Sequence, residues 1–412
     1  MDKTKQEIID FIAQKNIKLI HLIFCDVLGK PKNITIAAYE FEKVYENGIA
    51  FDASAFHTIT KQDTSQLFLF PDTSTFSVLA CCCGEKEIQF YCDIKYENGT
   101  PFEGDSRYLL KNAVKEAKEQ NLECMFSLKC QFSIFEKNTT SYIPYDTGGY
   151  LDTFPLDKCE QIRNEICFAL QEMAIEPKTA FHQKSPGQNQ IDFKHACALK
   201  CADDFLTYQS IVEKIAFQKN AFACFLPKPL AEKNGNGIHI DVSLFHQGKS
   251  DEEHSIFYES FIAGILNRMR EMSVFFNTTE ASYKRFETTE IPKYITWSHQ
   301  YRSQLIYIDS INEKIQPLEL VSADSCLNPY LAFTLFIYAG LEGITKQLSL
   351  PSPCNLNLYT ASQKETQKYQ MLPNTLKQAV EIAKNSTFIQ GVLPKEVSRR
   401  PSGLRKTRNL LN

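Results

Sequence analysis

The chain has 412 residues, of which 43% are hydrophobic and 23% are charged, and its formal net charge at pH 7 is -4. This composition is ordinary for a folded globular protein with two or three hydrophobic cores, and it argues against a disordered chain. The small negative charge gives no general case for a nucleic-acid or anionic-membrane partner.

The cysteines and the most apolar segment point to the same environment. The 14 cysteines are scattered through apolar runs, which favours free thiols in a reducing cytoplasm over a disulfide framework. The most apolar predicted helix, residues 331–344, is short and carries Glu342, so we expect a buried core helix and no membrane span. We therefore expect a cytoplasmic protein.

The first hundred residues read as a small domain of short strands. An amphipathic helix is predicted over residues 1–15, followed by strands over 18–25 and 33–37. Asp52 then stands in a loop-like segment that continues with Ala53 and Ser54. A loop aspartate that caps a turn is one interpretation of Asp52.

A cluster of Pro, Gly and Asp at residues 99–105 predicts a domain boundary. We expect one domain over residues 1–100 and a second over 101–412, beginning with a helix over 106–120. Further helices are predicted over 157–174 and 376–384. The second domain ends in a basic tail, residues 399–408, which is either a solvated end or a docking segment.

The segment Met125–Phe135 alternates with period two and predicts a strand with two unlike faces. Its apolar face carries Phe126, Leu128, Cys130, Phe132 and Ile134, and its polar face carries Ser127, Lys129, Gln131 and Ser133. The polar face could simply meet water, and this window alone does not decide the matter. The segments that follow favour a functional site.

Four later segments carry polar residues in a characteristic order. They are Phe181-His182-Gln183 with Pro186-Gly187-Gln188-Asn189-Gln190, the loop Asn234-Gly235-Asn236-Gly237-Ile238-His239, the run Ser282-Tyr283-Lys284-Arg285, and Glu319 before Asn328-Pro329. In order and spacing these segments, with those of the first domain, resemble the class I glutamine synthetase family over about residues 17–392. The resemblance implies an α+β fold, with a small N-terminal β-grasp domain followed by a large catalytic domain of antiparallel sheet and helices.

The resemblance also implies roles for individual residues. It assigns catalysis to Asp52, which would act in a neighbouring subunit, to Glu290, aligned across a one-residue gap, and to Arg302. It assigns carboxylate-substrate contacts to Asn234, Gly235 and Arg285, and metal ligation to His239 and Glu319. Four further positions are carboxylate metal ligands in the family but here hold Lys129, Gln131, Gln183 and Gln190.

Three other departures concern the nucleotide. Asp241 stands where the family has a histidine that contacts the nucleotide, Tyr307 replaces an arginine, and both arginines that flank Glu319 are missing. We expect Lys129 to take the place of a metal and to pair with Glu319 beside His239, while the three glutamines bond to one another.

From these departures we expect a catalytically inactive family member, a pseudoenzyme, with a regulatory, amino-acid-sensing or co-assembly role in nitrogen metabolism. It would form a ring-type homo-oligomer or assemble with an active synthetase, bind a small amino acid or carboxylate, and need no cofactor. The alternative is an ATP-dependent carboxylate-amine ligase with reduced metal dependence, which would use Mg²⁺ or Mn²⁺ and ATP. A third possibility is a structural scaffold that binds no small molecule.

Overall fold

The structure is a computed structural model that describes residues 3–55, 66–79, 87–137, 141–246, 251–287, 291–308 and 317–398, with the backbone alone at 55 and 251–254. Glu290 and the basic segment 399–408 lie outside the described residues.

The first sheet is built from residues 19–95. Its strands are β1 (Leu19–Cys25), β2 (Pro31–Ala37), β3 (Ile49–Asp52), β4 (Gln66–Pro71), β5 (Ser77–Val78) and β6 (Ile88–Lys95). They follow the order β2-β1-β6-β4-β3, with β5 also on β6, and β1 and β6 run parallel. This mixed sheet is the β-grasp arrangement that the sequence predicts.

The second sheet is larger and is antiparallel except for one short pair. Its strands are β7 (Leu122–Glu136), β8 (Pro177–His182), β9 (Gln188–Phe193), β10 (Ala196–Cys197), β11 (Ala221–Cys224), β12 (Ile238–His246), β13 (Trp297–Ser298), β14 (Ile306–Ile308) and β15 (Leu318–Ala323). The order is β13-β14-β15-β12-β7-β9-β8, with β10 and β11 also on β7, and only β13 and β14 pair in parallel among the described strands. β7 is therefore the central strand.

Helices cover both sheets. They are α1 (Lys5–Lys15), α2 (Phe41–Asn47), α3 (Ser106–Glu119), α4 (Glu160–Glu172), α5 (Ala198–Gln218), α6 (Asp251–Phe276), α7 (Glu280–Arg285), α8 (Pro329–Thr345), α9 (Gln363–Thr366), α10 (Leu376–Asn385), α11 (Thr387–Val392) and α12 (Lys395–Ser398). α8 is buried along almost its whole length, as expected of a core helix. Within the described ranges, no helix has the length and apolar run that crossing a bilayer requires.

The alternation predicted for β7 is confirmed. Phe126, Leu128, Cys130, Phe132 and Ile134 are at most 2% exposed, because helices pack on this face of the sheet. The opposite face holds Lys129 and Gln131, which are half-buried. On the same face Ser127 and Ser133 are 3% and 5% exposed, so the polar face of β7 lines a covered site instead of bulk water.

Two buried contacts join the sheets. The guanidinium of Arg107 is 3.0 Å from Asp203 of α5 and 2.7 Å from Asp93 of β6. At the turn after β1, Gly29 has φ +76°, and a Cβ there would lie 2.9 Å from the Cα of Asn328, the N-cap residue of α8. Glycine is required at this turn by both its conformation and its close backbone approach.

Candidate functional site

Three neighbouring strands place their polar side chains on one face of the large sheet. Lys129 of β7 is directly opposite His239 of β12, and Asp241 of β12 is directly opposite Glu319 of β15. His239 and Asp241 are two residues apart, so both side chains are on the same face. The register therefore brings one cation, one imidazole and two carboxylates together.

The ammonium of Lys129 bridges the two carboxylates. Its Nζ is 3.1 Å from Asp241 Oδ2 and 3.0 Å from Glu319 Oε1. Like charges directly opposite on adjacent strands repel each other. Lys129 offsets that repulsion, and its side chain is only 25% exposed, so the attraction is weakly screened.

Both carboxylate oxygens of Glu319 accept hydrogen bonds from protein side chains. His239 Nδ1 donates to Oε1 over 2.6 Å, and Arg302 donates to Oε2 over 2.8 Å. Burial alone would raise the pKa of Glu319, but the hydrogen bond and charge of His239, followed by Lys129 and Arg302, hold it well below its usual range. Glu319 is therefore ionised, with both oxygens occupied by protein donors.

The pKa values of the other two charged groups follow the same geometry. Burial would lower the pKa of Lys129, but the charges of Asp241 and Glu319 outweigh it and raise that pKa, so Lys129 stays charged. Burial raises the pKa of Asp241, and Lys129 opposes this shift. Asp241 Oδ1 is buried and has no hydrogen-bond partner among the described residues.

The three glutamines form one hydrogen-bonded chain, as predicted. Gln131 Nε2 and Gln183 Nε2 both donate to Gln190 Oε1, over 3.1 and 2.6 Å. Gln190 Nε2 donates to a carboxylate oxygen of Asp192, and the backbone N–H of Gly237 donates to Gln131 Oε1. Neutral amides thus occupy the positions that the resemblance assigns to charged metal ligands.

A fully buried ion pair holds the strand end that carries Gln183. His182 Nε2 is 3.0 Å from Asp146 Oδ1, and His182 Nδ1 is 2.7 Å from the carbonyl of Gln183. Burial alone would lower the pKa of His182, but Asp146 and this carbonyl raise it. Since a carbonyl can only accept, and an ionised carboxylate can only accept, both ring nitrogens donate and His182 is an imidazolium.

Asp146 also belongs to a buried group of possible metal ligands with Asp157 and Cys159. The group is already satisfied by the protein, because Arg163 pairs with Asp157 at 2.6 Å. The oxygens of Asp146 accept from His182 and from the backbone N–H groups of Gly148, Gly187, Lys158 and Cys159. We interpret this group as structural.

The predicted substrate residues meet at a cavity of about 440 Å³. Asn234, Gly235 and Arg285 line it, together with Gln131, Gln183, His239, Arg302 and Glu319. A Cβ at Gly235 would lie 2.1 Å from the carbonyl oxygen of Pro227, so this loop position requires glycine. Arg285 is 1% exposed and donates to Asn277 and to the carbonyls of Asn236 and Ser322.

Of the three predicted catalytic residues, the structure describes Asp52 and Arg302, which lie in different parts of the chain's fold, while Glu290 is outside the described residues. Arg302 lies at the cavity and stacks on Tyr307, with 4.4 Å between its guanidinium carbon and the ring centre. Asp52 lies on the edge strand of the small sheet, where its Oδ1 accepts from the N–H and hydroxyl of Ser54. This geometry matches the turn-capping interpretation, and catalytic roles for Asp52, Glu290 and Arg302 remain predictions.

The partner of Asp241 is a contact that the sequence analysis did not predict. Asp241 stands where the resemblance implies a histidine that contacts the nucleotide, and its carboxylate pairs with Lys129. The two-residue spacing from His239 was the available signal, since it places Asp241 on the face that carries Lys129.

The site does not fit two divalent cations. Mg²⁺ and Mn²⁺ require oxygen-rich, largely anionic ligand sets. Here an ammonium and three amides stand at four of the six assigned positions, and both oxygens of Glu319 already accept from the protein. A metal at His239 and Glu319 would have to displace Lys129 and Arg302 from Glu319.

The chain therefore combines a β-grasp sheet with a large, mostly antiparallel sheet that carries the candidate site on β7, β12 and β15. Residues 16–97 match the family described as glutamine synthetase, beta-Grasp domain, and residues 103–406 match glutamine synthetase, catalytic domain. The chain therefore belongs to the glutamine synthetase family.

Curated relatives agree with this assignment, and solved structures share the fold. The glutamine synthetase of Methanosarcina mazei is 34% identical over 96% of this chain and 91% of its own length. That of Thermus thermophilus is 34% identical over 96% of this chain and 93% of its own length. The fold is shared by the GmaS/ADP complex (TM-score 0.87, 23% identity, 97% of this chain and 94% of that chain) and Plasmodium falciparum glutamine synthetase (0.86, 22%, 97% and 94%).

Replacing Lys129 with methionine should lower the free energy of unfolding by about 3 kcal/mol, because two buried carboxylates lose their shared cation. Urea unfolding measures the change. In the double variant Lys129→Met/Asp241→Asn the loss should be smaller, since one uncompensated charge is removed with the lysine.

Lys194→Met is the matched control, because Lys194 pairs with Glu176 at the surface and both side chains are more than 60% exposed. Its effect should stay within about 0.5 kcal/mol. Equal stability of the Lys129→Met variant and the wild type would contradict the bridge.

The His182–Asp146 pair predicts a pH dependence of stability. Because the folded pKa of His182 lies above its ordinary value of 6.5, its stabilisation is complete below that pH and is lost as pH rises through the folded pKa. The free energy of unfolding should therefore fall more steeply above pH 6.5 in the wild type than in His182→Gln.

Chemical unfolding at a series of pH values from about 6 to about 9 measures this difference. His299→Gln, at an exposed histidine, is the control and should keep the wild-type pH profile. Parallel profiles for His182→Gln and the wild type would show that His182 does not carry the charge.

Proposed function

We propose that this protein is a glutamine synthetase-family member that keeps a carboxylate-binding cavity and does not catalyse ATP-dependent ligation. The observation that carries the proposal is the Lys129 ammonium, which lies between Asp241 and Glu319 within 3.1 Å of both. It supplies one fixed positive charge where the resemblance assigns a divalent cation.

The chemistry of phosphoryl transfer supports this proposal. Transfer from ATP to a carboxylate depends on cations that bridge the phosphates and on cationic groups around the migrating phosphoryl. Tyr307 stands at one position where the resemblance implies an arginine, and it stacks on Arg302. Val321 stands at another such position and lines the cavity. An ammonium can donate hydrogen bonds to phosphate oxygens but cannot coordinate them as a divalent Lewis acid does, so it replaces the charge of a metal without replacing its chemistry.

A second candidate function is a working carboxylate-amine ligase, and the names of the curated relatives favour it directly. Relatives that are 34% identical over nearly the whole chain are named glutamine synthetase. In this case ATP and Mg²⁺ or Mn²⁺ would enter a site that opens by releasing Lys129 or Arg302 from Glu319. The two functions differ in one measurable property, the turnover of ATP.

A carboxylate-binding cavity without catalysis can still serve a regulatory role. A protein that binds a small carboxylate or amino acid, without turning it over, can report its concentration or associate with an active synthetase. We also propose the division into a β-grasp domain over residues 1–100 and a catalytic-type domain over 101–412.

The purified wild-type protein should release no phosphate from ATP above the background rate with Mg²⁺ or Mn²⁺, ammonium and a panel of carboxylates that includes glutamate. A phosphate-release assay measures this. Metal-dependent turnover on any of these carboxylates would establish the second function and overturn the first.

Restoring the charged ligands should restore metal binding before it restores turnover. The variant Lys129→Glu/Gln131→Glu/Gln183→Glu/Gln190→Glu/Asp241→His should bind Mn²⁺ at least about tenfold more tightly than the wild type, as free Mn²⁺ measured by electron paramagnetic resonance. Gln171→Glu, on the exposed face of α4, is a control for added negative charge. Equal Mn²⁺ affinities of the wild type and the variant with five substitutions would show that these positions do not hold metal.

Assembly is tested separately. We expect the protein to form a ring-type homo-oligomer or to assemble with an active glutamine synthetase. Mass photometry of the protein alone, and of its mixture with a synthetase from the same cell, should give particles larger than one chain. A monomer under both conditions would contradict both forms of assembly.

A further inference from the structure

The direction of every amide in the glutamine chain is determined by the groups at its ends. The Asp192 carboxylate only accepts, so Gln190 turns its Nε2 toward Asp192 and its Oε1 toward Gln131 and Gln183. The backbone N–H of Gly237 donates to Gln131 Oε1, and the backbone N–H of Lys184 donates to Gln183 Oε1. Backbone N–H groups can only donate, so these two contacts identify the amide oxygens. Gln131 and Gln183 therefore each keep one N–H beyond these bonds, and both side chains line the cavity.

The charged side chains that line the cavity are mostly cationic, which adds to the amide N–H donors. Lys184, Arg285 and Arg302 are the cations among its described lining residues, and Glu319 is the only carboxylate. Both oxygens of Glu319 accept from protein donors. The carbonyl of Gly235 also accepts a bond, from Gln188 Nε2 over 3.0 Å.

The donors and charges around the cavity offer different partners to a carboxylate and to an ammonium. A carboxylate in the cavity would meet amide N–H groups and guanidinium or ammonium charge. Among the described lining residues, an ammonium would meet the same cations and one carboxylate that is already neutralised by Lys129 and Arg302. Placing a charge in a site without a counter-charge is costly, so the ammonium of an amino acid would weaken binding.

We propose that the cavity selects small dicarboxylates that lack an ammonium group over amino acids with the same carbon skeleton. This inference rests on the proposed carboxylate-binding function of the cavity. Gln131 and Gln183 are its specificity-determining residues, because an amide at these positions offers a donor where a carboxylate would offer a negative charge.

The test compares glutarate with L-glutamate, which differ only by the α-ammonium, in calorimetric titrations of the full-length protein at neutral pH. Glutarate should bind at least about tenfold more tightly. Gln131→Glu and, independently, Gln183→Glu should narrow or reverse this ratio, since each adds a carboxylate to the cavity. The exposed control Gln171→Glu should leave the ratio unchanged.

Circular dichroism identifies any variant that fails to fold, and two separate variants keep the test available. Equal binding of the two ligands, or tighter binding of L-glutamate, would overturn the proposed selectivity. Absence of binding by both would overturn it together with the carboxylate-binding function. Phosphate release from ATP is a separate readout. Turnover would overturn the proposal that the protein does not catalyse ligation, without changing the measured ratio of the two binding affinities.

Discussion

The candidate site depends on one buried lysine between two carboxylates. Asp241 and Glu319 are directly opposite on adjacent strands, and without a cation their mutual repulsion would oppose the pairing of β12 with β15. Lys129 lies within 3.1 Å of both and supplies that cation from the central strand. With Arg302 also on Glu319, two cations balance two anions, so the sheet face is stable without any added ion.

The neighbouring part of the same face is stable for a different reason. The amides of Gln131, Gln183 and Gln190 form a chain in which every donor and acceptor direction is consistent. Behind it, the buried His182–Asp146 pair holds the end of β8 and the backbone of Gln183. Neutral hydrogen bonding and internal ion pairing together occupy the places that the family resemblance assigns to metal ligands.

Family membership and site chemistry therefore answer different questions. The fold, the matched domains and the 34% identical relatives place the chain among the glutamine synthetases. The chemistry of a site, however, belongs to its side chains and not to its fold. A donor-rich cavity with three cations and one carboxylate among its described lining residues is suited to binding an anion, whereas phosphoryl transfer depends on cations that bridge the phosphates.

The sequence by itself determined the family, the two sheets and the alternating faces of β7, because each depends on residue type and on spacing within segments. The pairing of Lys129 with Glu319 was expected because the family resemblance assigns both residues to one site. The sequence did not determine the partner of Asp241 or the direction of the amides. Those depend on which residue of β12 faces which residue of β7 and β15, and on Asp192 at the end of the chain of amides. Strand register is a long-range property, so only the tertiary structure decided it.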